Sequence, residues 1–320
     1  MSASPAQPVL LIANRGEIAI RIARAAFELG WRTVGLTAED EHEALHASHM
    51  DAVQVLPGKG VPAYLHIEQV VAAALAQGCT HVHPGYGLLS ENADFARACA
   101  AAGLTFVGPT PEVLDLLGDK AQARALARRC QVPVTAGIDN AITLDQAQAF
   151  FQQQASTGRG HAAVMIKALA GGGGRGMRIV DKPDDIAPSF DRCQAEALAA
   201  FGRGDLYIEQ LVRRARHIEV QVLGDGTGAV SHAWERDCTV QRNHQKLIEI
   251  APAPDLDPAL RQHLLDAAVT MAQAVKLRGL CTFEFLLDLD QPGSSTFYFM
   301  EANPRLQVEH TVTEAITGLD

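Results

Sequence analysis

The chain is poor in aromatic residues, in positive charge and in patterned cysteine. Phe, Trp and Tyr make up 5% of its 320 residues, and 27 Lys plus Arg stand against 37 Asp plus Glu, a formal net charge of −10. Stacking platforms for single-stranded nucleic acid need aromatic rings, and non-specific duplex binding needs a basic surface. Neither is available, so no nucleic-acid partner is expected; local basic clusters remain open to small anions. The six cysteines, Cys79, Cys99, Cys130, Cys193, Cys238 and Cys281, are scattered without a C-x-x-C pair. That argues against a zinc ribbon or a disulfide framework and suits a reducing compartment. No apolar run reaches membrane-spanning length. The apolar stretch Val9 to Ala13 is cut off by Arg15 and Glu17, so it does not read as a signal peptide. The expectation is a soluble, cytoplasmic protein with no membrane partner.

What is present is a globular composition. The chain is 48% hydrophobic and 20% charged, ample for a buried core in more than one domain. Short apolar runs at Val9–Ala13, Thr33–Thr37, Ala52–Leu56, Thr80–His83 and Thr105–Val107 read as strands. Amphipathic segments at Ile18–Leu29, Ile67–Gln77 and Phe95–Ala102 read as the helices between them. This rhythm predicts a doubly wound α/β domain over residues 1–118. The G-x-G-x-x-G of a dinucleotide site is missing after its first strand. A helical linker, opened by Gly118-Asp119-Lys120, occupies 119–133. A lid unit over 134–210 follows, with a helix at Leu144–Gln153, strands at Ala163–Lys167 and Met177–Val180, and a helix over Pro183–Phe201. The final unit, 211–320, reads as α+β. It has strands at Ile218–Leu223, Val230–Arg236 and Gly279–Asp288, a helix at Pro258–Lys276, and Phe297–Met300 leading into Glu301–His310.

Several stretches invite a chemical reading. His83-Pro84-Gly85-Tyr86-Gly87 follows a strand, where open α/β sheets carry ligands; it reads equally as a Gly/Pro turn. His42-Glu43-Ala44-Leu45-His46 spells H-E-x-x-H, a zinc-protease pattern when both histidines share a helix face. Set among charged residues in a crossover, with no third ligand assignable, it reads as coincidence. Gly171 to Gly176 forms a glycine-rich flap whose backbone N–H groups can approach phosphates. Lys167, just before it, adds a point charge, but no Gly-Lys-Ser/Thr opens a helix as in a Walker A loop. Cys238 to Lys246 is polar and basic and reads as a solvated loop. Glu301, Asn303, Arg305, Gln307 and Glu309 fall on alternate positions. In an extended backbone they share one face, with Ala302, Leu306 and Val308 on the other. Pro304 cannot donate to a ladder, which makes the segment an edge or a loop.

These residues combine into one chemistry. Glu284 and Glu301 on neighbouring strands, with Asn303 beside them, suit an octahedral Mg²⁺ (or Mn²⁺) that also holds phosphate oxygens. Lys120, Lys167 and the flap suit the rest of a nucleoside triphosphate. Arg305 and Lys246 suit a further small anion, and Glu309 beside Arg305 suits a base. This is the constellation of a ligase that forms an acyl phosphate.

The wording of the motifs goes further. "IANRGEIAIRI", "HPGYGLLSEN", "GDK", "GGGGRGMRIV", "RHIEVQVLGDG", "ERDCTVQRNHQK", "APAP", "TFEFL" and "EANPRLQVEHTVTEAITGLD" together closely resemble biotin carboxylase. That is the ATP-grasp component of acetyl-CoA, propionyl-CoA, pyruvate and urea carboxylases, and the resemblance runs from about Val9 to Asp320. It implies an ATP-grasp fold after the first domain. It implies ATP contacts from Lys120, Lys167, Gly173, Gly174, Glu209, Gln210, Leu211, Val212, His217 and His244, with Glu284, Glu301 and Asn303 binding Mg²⁺. Lys246, Arg305, Gln307 and Val308 would hold bicarbonate, Glu309 would deprotonate it, Arg305 would stabilise the biotin enolate, and Tyr86 would lie near biotin. The biotin would sit on a separate carrier domain serving a carboxyltransferase, since no Ala-Met-Lys-Met attachment site is present. Departures are Gln210 in place of a frequent lysine, Arg213-Arg214-Ala215 in place of an Asn-Pro approach, and "EANPR" rather than "EMNTR".

The resemblance further implies a portion beyond Asp320 that completes the last sheet, adds an arginine near biotin and supplies much of a homodimer surface. A chain ending here is therefore expected to be a truncated piece, to be inactive, or to depend on another chain. Rival expectations are another ATP-grasp ligase of the carbamoyl-phosphate synthetase kind, and an ATP-binding fragment without turnover.

Overall fold

The short apolar runs at the start become a parallel sheet. The computed structural model describes residues 7–156, 163–169, 176–243, 245–290 and 297–319. β1 (Val9–Ile12) leads through α1 (Gly16–Glu28), β2 (Arg32–Ala38), β3 (Ala52–Leu56), α2 (Gly60–Tyr64), α3 (Ile67–Ala76), β4 (His81–His83) and α4 (Ala93–Ala101) to β5 (Thr105–Phe106). The strands pair in parallel in the order β3-β2-β1-β4-β5. Both faces are covered, which is why β1 is apolar at every position. Leu11 packs with Val34, Leu36 and Val82 on one side, while Leu10 and Ile12 pack with Ile18 and Ile22 of α1 on the other. The strand order reverses between β1 and β4, the place where such sheets open a crevice. There Asn14 Nδ2 donates to the carbonyls of Pro84 (2.7 Å) and Tyr86 (2.8 Å). Gly85 has φ +64°, and a Cβ there would stand 2.7 Å from Asn14 Nδ2, so the turn requires glycine.

α5 (Pro111–Gly118) and α6 (Lys120–Arg129) connect this unit to the rest. Asp119 caps α6 by accepting from Gln122 N at 3.0 Å, which makes Lys120 its first residue. A small antiparallel sheet follows, from β6 (Gly137–Ile138), α7 (Leu144–Ser156), β7 (Val164–Ala168), β8 (Met177–Val180), α8 (Ile186–Phe201) and β9 (Leu206–Gln210). Its order is β6-β9-β7-β8, with Phe150, Phe151 and Phe190 of the two helices packed on Val164 and Ile166. The helix expected from Pro183 starts later. Pro183–Asp185 is a separate 3-10 turn ahead of α8.

The third sheet is antiparallel and larger. It comprises β10 (Ala215–Asp225), β11 (Val230–Arg242), β12 (Gln245–Ile250), β13 (Arg278–Asp288) and β14 (Phe297–Asn303), in the order β12-β11-β10-β13-β14. α9 (Pro258–Ala274) lies between β12 and β13 in the chain and packs on the apolar face with α6; α10 (His310–Thr317) follows β14. The stretch read as a solvated loop, Cys238 to Lys246, is instead the far end of β11 and the start of β12, with Cys238 fully buried. Lys246 lines the cleft, while Arg242 is exposed. The H-E-x-x-H residues do not form a helix face. His42 lies on an exposed turn, and His46 is buried in the 3-10 turn Leu45–His49 with Nε2 2.8 Å from Leu36 O.

The expected alternation holds through Asn303 and fails beyond it, and a bulge decides which face Glu301 takes. β14 is an edge strand that ends at Asn303, just before Pro304. It also carries a bulge, because Glu284 opposes Glu301 while Phe285 opposes Phe299. Met300 is thus an extra residue. In a regular strand Phe299 and Glu301 would share a face; the bulge sends Phe299 (1% exposed) into the core and Glu301 to the opposite face.

Candidate functional site

The register of the large sheet lines up four charged side chains. Arg236 on β11 opposes Glu219 on β10, Glu219 opposes Glu284 on β13, and Glu284 opposes Glu301 on β14. The next row holds Gln221, Thr282 and Asn303. This face points away from the apolar core, yet Arg236 and Glu219 are both 0% exposed. The chain after β14 covers them. Arg236 Nε donates to Glu219 Oε1 (2.5 Å), Nη1 to Thr313 Oγ1 (2.8 Å), and Nη2 to Gln307 Oε1 (2.9 Å). A buried guanidinium with its hydrogen-bond directions filled can remain charged, and here it fastens the 304–309 turn and α10 to the sheet.

Lys246 enters this row from β12. Its Nζ stands 2.5 Å from Glu219 Oε2, 3.2 Å from Glu284 Oε1 and 3.2 Å from Glu309 Oε1. Burial alone would lower its pKa, but the charges of Glu284 and Glu219 hold it well above the ordinary lysine range. Glu284 accepts from Asn303 Nδ2 at 2.7 Å, and its other oxygen lies 2.6 Å from His217 Nε2. Burial pushes the Glu284 carboxyl up, but the His217 hydrogen bond and the Lys246 charge outweigh it and hold the group below the ordinary carboxylate range. Glu301, facing it, is raised by burial and by the Glu284 charge. A divalent cation would relieve the charge that Glu284 sets against Glu301, and the oxygen donors of Glu284, Glu301 and Asn303 suit a hard one.

The small sheet supplies the opposite wall. Lys167 on β7 forms an ion pair with Glu209 Oε1 on β9. Burial would lower the Lys167 pKa, but the Glu209 charge keeps it raised. Between the two sheets lies a cleft of about 1340 Å³, lined by Lys120, Lys167, Glu209, Gln210, Leu211, Val212, His217, Lys246, Glu284, Glu301 and Asn303. Tyr86, Arg305, Gln307, Val308 and Glu309 line the same cleft. Tyr86 reaches it from the switch point of the first sheet, with its hydroxyl donating to Glu17. Arg305 Nε donates to Glu91 Oε1 at 3.0 Å, tying the last unit to the first, and Nη2 donates to Asn303 Oδ1 at 3.3 Å.

The structure therefore brings the described candidate residues together, though not by an extended stripe. Gln307 is buried with its carbonyl oxygen taken by Arg236, while Val308 is 62% exposed and faces the cleft instead of the opposite side. Gly173, Gly174 and His244 lie outside the described residues. Sequence reasoning missed Arg124, Glu219, Gln221, Arg236 and Glu91. Glu219 and Gln221 alternate with Ile218, Val220 and Val222, the usual signature of a solvated face. A signal for Arg124 was present, because it sits between the apolar Ala123 and Leu126 of an amphipathic helix, four residues after Lys120.

Two family models match. The one described as "Biotin carboxylase, N-terminal domain" covers residues 7–114, and "Carbamoyl-phosphate synthase L chain, ATP binding domain" covers 119–320. Pyruvate carboxylase of Schizosaccharomyces pombe is 48% identical over 316 residues, which are 97% of this chain and 26% of that protein. The chain thus spans about a quarter of the length of the curated relatives it matches. Among solved structures, a biotin carboxylase complex with β,γ-ATP from Campylobacter jejuni superposes with TM-score 0.91 at 41% identity, over 98% of this chain and 68% of that one. The biotin carboxylase domain dimer of Hydrogenobacter thermophilus 2-oxoglutarate carboxylase, solved with MgADP, ADP and bicarbonate, gives the same TM-score and identity over 98% and 67%.

Proposed function

The chain belongs to the biotin carboxylase family, and on that premise we propose that it uses ATP and bicarbonate to carboxylate biotin at N1. Its fold is a doubly wound α/β domain followed by an ATP-grasp fold. The observation that carries the proposal is the shared ammonium of Lys246, held among Glu219, Glu284 and Glu309 beside the facing pair Glu284 and Glu301. It supports reading one wall of the cleft as an anion site, a base and a metal-type carboxylate pair.

In this reading Lys120, Lys167 and His217 contact the nucleotide, with Glu209, Gln210, Leu211 and Val212 beside its base; Gly173, Gly174 and His244 complete the set. Glu284, Glu301 and Asn303 would hold Mg²⁺ (or Mn²⁺), and the bound ion would offset the charge of the phosphates. Lys246, Arg305, Gln307 and Val308 hold bicarbonate. Glu309 takes the bicarbonate proton, and the freed oxygen attacks the γ-phosphorus, displacing ADP and giving carboxyphosphate. Carboxyphosphate breaks down to CO₂ and phosphate, phosphate takes the N1 proton of biotin, and the enolate adds to CO₂. Arg305 stabilises the charge that develops on the enolate oxygen. Tyr86 borders the biotin position.

The same reading sets unit borders at 118, 133 and 210. The matched ranges 7–114 and 119–320 and the run of the small sheet from β6 to β9 support them. The partners are a biotin carrier domain and a carboxyltransferase, with a homodimer as the assembly. Among the described residues no helix is long and apolar enough to cross a membrane. The six cysteines are free thiols, which supports a reducing compartment such as the cytoplasm.

The test is ATP hydrolysis with and without bicarbonate and free biotin. Turnover that requires bicarbonate, rises with biotin and falls about 10²-fold or more in Glu309→Gln is the expected result for loss of a general base. Turnover indifferent to both would assign the chain to another ATP-grasp ligase. MgATP binding without turnover would make it a nucleotide-binding fragment.

A further inference from the structure

We propose that Arg124 is a positioning residue for the nucleotide: from the junction of the two antiparallel sheets it fixes Glu209, and through Glu209 it fixes the Lys167 ammonium over the cleft. The inference rests on the reading of that cleft as an ATP site.

Arg124 is 2% exposed, and its guanidinium is engaged on three sides. Nε donates to Asp139 Oδ1 at 2.6 Å, Nη2 to Thr135 O at 2.7 Å, and Nη1 to both Thr135 Oγ1 (2.9 Å) and Glu209 Oε2 (3.0 Å). Thr135 in turn donates its hydroxyl to Glu209 Oε2 at 2.7 Å. The Glu209 carboxylate is thereby divided. One oxygen is committed inward to Arg124 and Thr135, and the other faces the cleft and holds Lys167. A planar fork can serve these acceptors at fixed angles, whereas an ammonium cannot.

The location explains why a fork is needed. α6 belongs to the large-sheet core through Ala123, Leu126 and Ala127. The chain leaving α6 bridges to the large sheet at Val134, paired with Phe299, then enters the small sheet at Gly137, paired with Glu209. Thr135 lies between those two pairings. Arg124 thus joins the body that carries Glu301 to the sheet that carries Lys167. The same helix starts with Lys120, one turn before Arg124. A rigid element therefore sets the relative position of two lysines from opposite walls. Arg124 also balances the Glu209 charge from behind, so that Lys167 faces an incoming polyphosphate without its partner carboxylate being left uncompensated.

The measurement is MgATP affinity by calorimetry, together with KM for ATP, KM for bicarbonate and kcat, on Arg124→Lys. Thermal melting without nucleotide confirms that the variant is folded. The expected result is a folded variant with a lowered melting point, since an ammonium leaves some of the buried acceptors unpaired, and MgATP affinity weakened about tenfold or more, the size of a lost charge-assisted hydrogen bond. KM for ATP should rise in parallel, with kcat at saturating ATP and KM for bicarbonate little changed. A role confined to stability would lower the melting point and leave ATP affinity alone; unchanged affinity in a folded Arg124→Lys overturns the proposal. If Arg124→Lys does not fold, Thr135→Val decides, because it keeps the guanidinium and removes only the hydroxyl that accepts from Arg124 and donates to Glu209. Weakened MgATP binding supports the proposal and unchanged binding overturns it. If wild type binds MgATP but shows no bicarbonate-dependent turnover, the carboxylase reading fails while the affinity comparison still judges Arg124.

Discussion

The parallel sheet at the start of the chain and the large antiparallel sheet at its end are both buried on two faces, by different chemistry. The first meets apolar side chains on both sides, so every position of β1 is hydrophobic. The second meets an apolar core on one side, through Phe283, Phe285 and Phe299, and on the other carries the charged row Arg236, Glu219 and Lys246, covered by Gln307 and Thr313 of the chain after β14. The first sheet contributes rigidity and one rim of the cleft. The second places ionised groups out of water, where their positions are fixed and their interactions are strong. Alternation along a strand therefore reports a change of environment between faces. It does not report that the polar face is wet.

The largest stability effect is expected where the charged face is broken. Arg236→Leu leaves Glu219 buried without its guanidinium partner and frees Gln307 and Thr313. A loss of ~3–5 kcal/mol is expected from urea unfolding, with ATP turnover abolished because the 304–309 turn is no longer held. The matching change in the first sheet, Leu11→Ala, should cost ~2–5 kcal/mol through a cavity. It should leave KM for ATP near the wild-type value. Equal effects of the two variants on KM would erase the distinction between the sheets.

The smallest effect is one of pH. Burial pushes the Glu249 carboxyl on β12 from 4.5 up to about 7. Between those values the native state keeps a proton that the unfolded chain has lost, so stability falls as pH rises from about 4.5 to about 7 and levels off above. Glu249→Gln removes that proton difference. Its melting temperature should decline less steeply than wild type across the same window, and parallel slopes would exclude Glu249 as the source.

How much of this was legible in the sequence follows the same division. The parallel unit could be read strand by strand, because short continuous apolar runs bounded by turns suit strands buried on both faces. Glu284, Glu301, Lys246, Arg305 and Glu309 could be collected as one chemistry from residue types and motif wording. What could not be read was anything that depends on backbone register. The Met300 bulge reverses Glu301 relative to Phe299, and no single residue announces it. Arg236 and Glu219 looked like solvated strand positions because their cover, Gln307 and Thr313, lies some seventy residues or more away in the chain. The basic stretch after Cys238 looked like a loop because charge usually marks solvent; it is largely strand, exposed at Arg242 and turned into the cleft at Lys246.

The most direct test of the central claim follows the oxygen atoms. If Glu309 deprotonates bicarbonate and bicarbonate then attacks the γ-phosphorus, turnover in ¹⁸O-labelled bicarbonate and unlabelled water must release phosphate carrying one bicarbonate oxygen. Mass spectrometry of the phosphate reads this out. Singly labelled phosphate, in step with bicarbonate-dependent ADP formation, is the predicted result. Phosphate whose new oxygen comes from water would contradict the account.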